Sequence, residues 1–172
     1  MGIYLSGGND RINGLINYSP NIAMARGDSY FLNKPWGLQI ARFVFGGDFY
    51  SYEDTEENQQ YWYTRYRIEA LVQLQELLEA TMTEENYAKV TQPFFMGYYY
   101  KNDTLQDQVV SVAGMHEMSD GLGTPEDQKR SIAFPDAEAH VICSSLKSKS
   151  VAQVREETFK FAEEVLGMTP LR

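Results

Sequence analysis

QPFFMGYYYKNDTLQDQVVSV, residues 92–112, decides the fold. Directly after Pro93 the chain is continuously apolar or aromatic from Phe94 to Tyr100. A run this short and this aromatic reads as a strand buried on both faces, as strands of parallel sheets are. A polar loop follows, residues 101–108, and then the Val109-Val110 pair opens another apolar segment. A helix is predicted there, from about Val109 to Leu122, with Gly123 as its stop. The stretch therefore reads as strand, polar loop, helix.

The neighbouring segments repeat that unit. RSIAFP (130–135) reads as a third strand, and VAQVREETFKFAEEVLG (151–167) as a closing helix. Val151, Val154, Phe161, Val165 and Leu166 form that helix's apolar face, with Thr158 on the same side and Gly167 as its end. Upstream, INGLINYSPN (12–21) carries a strand around Leu15-Ile16 that stops at Pro20, which cannot extend a sheet ladder. KPWGLQIARFVFGG (34–47) predicts a helix, with Pro35 at a first helical position and Gly46-Gly47 as a stop. Trp36, Ile40, Phe43 and Val44 share one of its faces. Residues 48–67 hold seven aromatics among polar groups and read as a loop with helical turns. IEALVQLQELLEAT (68–81) is an amphipathic helix, and Thr83 with Asn86 opens a short one. The order is strand, helical insert, strand, helix, strand, helix. Such alternation predicts an α/β fold with a parallel sheet of about three strands, its chemistry at the strands' carboxyl ends. The loops at those ends are 19–21, 101–108 and 135–140.

Composition excludes several classes of function. The chain has 172 residues, with 15 lysines and arginines against 24 acids and a net charge of −9. An acidic chain without a basic stripe is a poor nucleic-acid binder. No apolar run approaches the roughly 20 residues that span a bilayer. Residues 1–6 lack the regions of a signal peptide, so a soluble protein is expected, cytoplasmic if Met1 is its native start. Cys143 is the single cysteine, so there is neither an internal disulfide nor a zinc-type cysteine spacing. No metal or organic cofactor is expected.

Two loops at strand ends carry candidate chemistry. AFPDAEAHVI (133–142) places His140 just past the third strand, and the loop after the second strand holds Asp103 and Asp107. Adjacent parallel strands would bring an acid and a histidine to one edge. A carboxylate accepting from the ring N–H fixes the imidazole tautomer and stabilises the imidazolium formed in acyl transfer. The plain alternatives are a surface histidine and an aspartate that caps the following helix. His116 lies within a predicted helix and reads as a solvated or partly packed side chain. Ser19 precedes Pro20, which offers neither glycine nor N–H for an oxyanion hole, so it is not a nucleophile. Cys143 reads as a small buried side chain. The aromatics from Phe49 to Tyr66 either line an apolar pocket or simply pack.

Taken together, QPFFMGYYYKNDTLQDQVVSV and SIAFPDAEAHVI resemble the C-terminal part of the α/β-hydrolase superfamily, whose serine hydrolases include esterases and lipase-like enzymes. The resemblance implies a partial hydrolase sheet and a catalytic triad in the order serine, acid, histidine. His140 matches the base. Asp107, leading into Val109-Val110, matches the acid better than its alternative Asp103. It also implies a core of residues 1–23 and 69–172 and a helical, aromatic-rich cap insert over 24–68. The family's G-x-S-x-G elbow is absent. In GIYLSGGND the glycine lies four residues before Ser6, and too few residues separate Ser6 from Leu15 for a nucleophile helix. Residues 3–10 then match the end of that helix, and the elbow is expected upstream of Met1. The expectation is a truncated serine hydrolase of small apolar esters or related acyl bonds, inactive by itself. The alternatives are a non-catalytic binding module, or a subunit completing its sheet with another chain. An exposed sheet edge favours a homodimer.

Overall fold

The computed structural model describes residues 1–170. It divides into two compact units, one of residues Met1–Ala25 and Thr81–Arg172, the other of Arg26–Ala80.

The first unit is built on a parallel sheet. Strands β1 (Leu15–Tyr18) and β5 (Lys129–Ala133) both pair in parallel with β4 (Phe94–Tyr98), giving the order β1-β4-β5. This is the α/β class and strand number that the alternation of segments predicts. All five residues of β4 are buried, as its unbroken apolar run demands. Their side chains alternate between two cores. Phe94, Met96 and Tyr98 pack with Leu15, Tyr87, Val90, Val110, Met115 and Met118. Those partners come largely from two helices, α5 (Glu84–Ala88) and α6 (Val112–Gly121). Phe95 turns the other way and meets Phe161 of α7 (Val151–Glu164), their ring centroids 5.5 Å apart. Phe134, Ile142 and Val154 fill the same side. Gly97 belongs there because a Cβ would sit 2.9 Å from the Phe134 ring. Helices thus cover both faces of the sheet.

Two local details differ from the sequence reading. Helix α6 starts at Val112 rather than near Val109. Residues 109–111 run extended beside residues 23–25, with Ala25 N–H donating to Val109 O at 3.0 Å and Ser111 N–H donating to Ala23 O at 2.8 Å. Ser111 then caps the helix by accepting from Gly114 N at 3.0 Å. Before β1 lies α1 (Gly2–Ser6), a helix of a single turn and a fraction.

The second unit holds α2 (Gly37–Phe45), the two-stranded antiparallel β2 (Phe49–Ser51) and β3 (Arg65–Arg67), α3 (Glu56–Gln59) and α4 (Ile68–Thr81). The sequence boundary at residue 68 fell at the start of α4, whereas this helix clusters with the insert as far as Ala80. A loop with helical turns was expected for the aromatic segment; α3 is such a turn, but the two ends pair as a small sheet. Tyr50 and Tyr66 stand opposite each other, and the guanidinium of Arg65 lies 3.8 Å from the Phe49 ring centre. Such aromatic and cation–π pairs stabilise two strands too short to show an alternating pattern.

Charge closes this unit. The Glu69 carboxylate meets Arg67 at 2.6 Å and Arg42 at 2.7 Å. The hydrogen bond from Arg67 leads in holding the Glu69 pKa down at about 2. Glu79, bonded by Asn33, Lys34 and Gln75, is likewise lowered to about 2. A carboxyl with a depressed folded pKa lends stability above its unfolded value, and that contribution is lost as pH falls from there through the folded value. Both tryptophans, Trp36 and Trp62, lie in this unit, so their fluorescence reports on it alone. Acid titration should show a progressive loss of tryptophan-detected stability from pH 4.5 down to about 2. Added salt should weaken the effect, because the pairs are open to solvent. Stability unchanged across that window would contradict this account.

Candidate functional site

The carboxyl ends of all three parallel strands carry polar side chains that meet through the His140 loop. After β4, the chain makes a tight excursion in which Lys101 N–H donates to Leu105 O at 2.9 Å and the Asn102 side chain accepts from Leu105 N. It returns at Asp107, whose N–H donates to Tyr99 O at 3.2 Å. The strand end and the returning loop thereby hold Asp107 in a fixed place. Its Oδ1 accepts from Val109 N at 2.8 Å and Val110 N at 3.1 Å. Its Oδ2 lies 2.7 Å from Nδ1 of His140.

His140 comes from the loop after β5. Phe134 N–H donates to Tyr98 O, and Ala137 N–H closes the turn onto Phe134 O. Glu138 adopts a left-handed φ of 51° and is clamped to Lys149 at 2.6 Å. This bend carries the chain back over the sheet end. The His140 carbonyl then accepts from the Ser19 hydroxyl at 2.8 Å. Ser19 follows β1, is buried, has φ of 42°, and donates its N–H to Gly97 O at 2.8 Å. One serine therefore joins the ends of β1 and β4 to the histidine loop.

The electrostatics follow from burial. The Asp107 side chain is 0 % exposed and that of His140 29 %. A carboxylate can only accept, so Nδ1 is the donor of the shared hydrogen bond, and Nε2 is the ring nitrogen that it leaves open. No other hydrogen bond to the ring occurs among the described residues. The arrangement is an oriented base with one nitrogen tied and the other open.

Of the residues singled out in the sequence, Asp107 and His140 come together, while Asp103 does not join them. Asp103 instead accepts from the Tyr100 hydroxyl at 2.8 Å. His116 is exposed on α6, its Nε2 2.8 Å from the Tyr98 hydroxyl. Ser6 is buried and donates to Gly2 O at 2.7 Å. Cys143 corrects an expectation. It is exposed, although partial burial of its sulfur pushes the thiol pKa up and so disfavours the thiolate. Ser19's role as a strut was missed, because nothing local marks a hydroxyl that bonds a carbonyl 121 residues away. Among the described residues no group of three or more His, Cys, Asp or Glu side chains could hold a metal ion, and no helix is long and apolar enough to cross a membrane.

No family model matches the chain, and no curated protein matches it either. Solved structures do match. One of them, from the study of the metagenome-derived lipolytic enzymes LipS and LipT, is 14 % identical, with a TM-score of 0.63 over 94 % of this chain. The chain spans 60 % of the length of that structure's chain. A likeness at this identity is one of fold. The protein is thus an α/β protein whose parallel sheet is shared with a lipolytic enzyme.

Replacing Asp107 by Ala should have two separable effects. The N–H groups of Val109 and Val110 lose their acceptor, and the buried one, that of Val110, costs about 1–3 kcal/mol, which denaturant unfolding would measure. The His140 ring loses its anchor, so nitrogen-15 NMR should change from a single Nδ1–H tautomer to a mixture. A tautomer unaffected by the substitution would separate Asp107 from His140.

Proposed function

We propose that this chain is the portion of a serine α/β-hydrolase that carries the acid and the base of its triad. The observation that carries this reading is the 2.7 Å contact between Asp107 Oδ2 and His140 Nδ1, at the ends of adjacent parallel strands. The fold likeness to a lipolytic enzyme supports it. In this reading residues 1–23 and 69–172 belong to the hydrolase core, and 24–68 to its aromatic-rich cap.

The chemistry would be acyl transfer to water. A serine hydroxyl supplied from outside this chain attacks the carbonyl of an ester or related acyl compound. His140 Nε2 takes the hydroxyl proton as the new C–O bond forms, then gives it to the leaving oxygen as the substrate's C–O bond breaks. A water molecule, deprotonated by the same Nε2, next attacks the acyl-serine, and the proton passes to the serine oxygen as the acid is released. Asp107 holds the ring in the required tautomer and stabilises the imidazolium. The substrate class is a small apolar ester or related acyl compound, in keeping with the likeness to a lipolytic enzyme.

Ser6 and Ser19 are poorly placed to act as nucleophile. Ser6 is enclosed and bonded within α1, and the Ser19 hydroxyl is committed to a carbonyl oxygen. The chain by itself should therefore be inactive. Incubated with a short-chain p-nitrophenyl ester, it should release nitrophenol no faster than buffer does. Turnover that disappears in His140→Ala would refute the claim that the nucleophile lies elsewhere. The coding sequence just upstream of Met1 offers a second check. An in-frame run encoding G-x-S-x-G there would support the reading, and a region without one would count against it.

A further inference from the structure

Helix α2 carries an apolar stripe on its outer side, with Trp36 73 %, Ile40 59 %, Phe43 88 % and Val44 62 % exposed. The side that packs holds the buried Gly37 and Ala41 with the half-buried Leu38, Arg42 and Phe45. Gly37 is needed there, since a Cβ would lie 2.2 Å from Phe31 O. Arg42, the helix's one charged residue, turns inward to Asp48 at 2.9 Å and Glu69 at 2.7 Å. Trp36, at the head of the stripe, has φ of 68°, a left-handed conformation that bulky residues rarely adopt. Tyr30 and Phe31, also exposed and with ring centroids 3.9 Å apart, come shortly before it in the chain.

We infer that this face is the contact surface of a homodimer, with α2 of one copy packed against α2 of a second copy about a two-fold axis. Charge favours a second copy as the occupant. The chain carries a net charge of −9, so most pairings of its surface with itself bring acids together. An isologous contact sets each patch against itself, which an uncharged stripe tolerates and a charged one does not. The exposed part of α2 consists of Trp36, Gln39, Ile40, Phe43 and Val44, and none of them is ionisable. Area agrees. Aromatic side chains bury about 150–250 Å² each, so the stripe offers roughly 500 Å² per copy, at the upper end for a monomer's largest apolar patch. Two copies would bury about 1,000 Å², the threshold of a specific interface, before Tyr30 and Phe31 are added.

The inference is independent of the catalytic reading, and solution size tests it. Sedimentation equilibrium of the whole chain at micromolar concentrations should show a dimer. Phe43→Glu and Ile40→Glu each place a charge at the centre of the contact and should weaken dimerisation at least about 30-fold. Their circular dichroism and melting should be unchanged, because both side chains already face solvent. Oxidation of Phe43→Cys in a Cys143→Ser background should give a covalent dimer, which Cys143→Ser alone should not. A wild-type monomer at every concentration would overturn the inference. So would a dimer that survives both glutamate variants, which would put the contact at the β1 edge. A monomer that takes up detergent micelles through Phe43 would overturn it as well, making the stripe a site for amphiphiles.

Discussion

Burial of β4 on both faces and along both edges is the constraint from which the rest of the first unit follows. Five successive residues have no access to water, so their backbone groups must find partners in neighbouring strands. β1 and β5 supply them, one on each side and both in parallel. Parallel pairing forces each connection to cross over the sheet, which puts α5 and α6 on one face, while α7, following β5, covers the other. It also brings the carboxyl ends of the three strands to one edge. Ser19, Asp107 and His140 are neighbours because Phe94–Tyr98 cannot be solvated.

Asp107 shows how stability and chemistry share one side chain. As a turn residue, it satisfies the N–H groups of Val109 and Val110 with one oxygen; no helix begins there, because Ser111 caps α6. Read as a triad acid, it holds the His140 ring with the other. The two roles are compatible because a carboxylate accepts on both oxygens. The turn bonds fix the orientation of the carboxyl plane, and that orientation directs Oδ2 at the imidazole. The Ser19 hydroxyl does the corresponding work on the histidine side, anchoring the backbone from which the ring projects.

The second unit obeys different physics. Its strands are short and its aromatic groups largely exposed, and its charges are paired about Glu69 and Glu79. Arg42 is the clearest case. It turns to Asp48 and Glu69, while the opposite side of α2 presents an apolar stripe that a second surface can cover.

How much was legible depends on how local the cause is. The unbroken run at 94–100, the helical spacings around Leu71 and Val154, and the glycine stops are local, and they predicted the parallel sheet and its helices. Placing Asp107 and His140 in adjacent strand-end loops needed only strand order. The β2–β3 pair escaped because three-residue strands carry too little periodicity, and Cys143 was misjudged because exposure depends on what surrounds a loop. The sequence by itself determined which residues are apolar, at what period, and so which elements form. Only the tertiary structure decided that Asp107 rather than Asp103 faces His140, that Ser19 braces the histidine loop, and that the stripe of α2 points outward. Those outcomes depend on hydrogen bonds and ion pairs between residues far apart in the chain, and a local pattern carries no information about such partners.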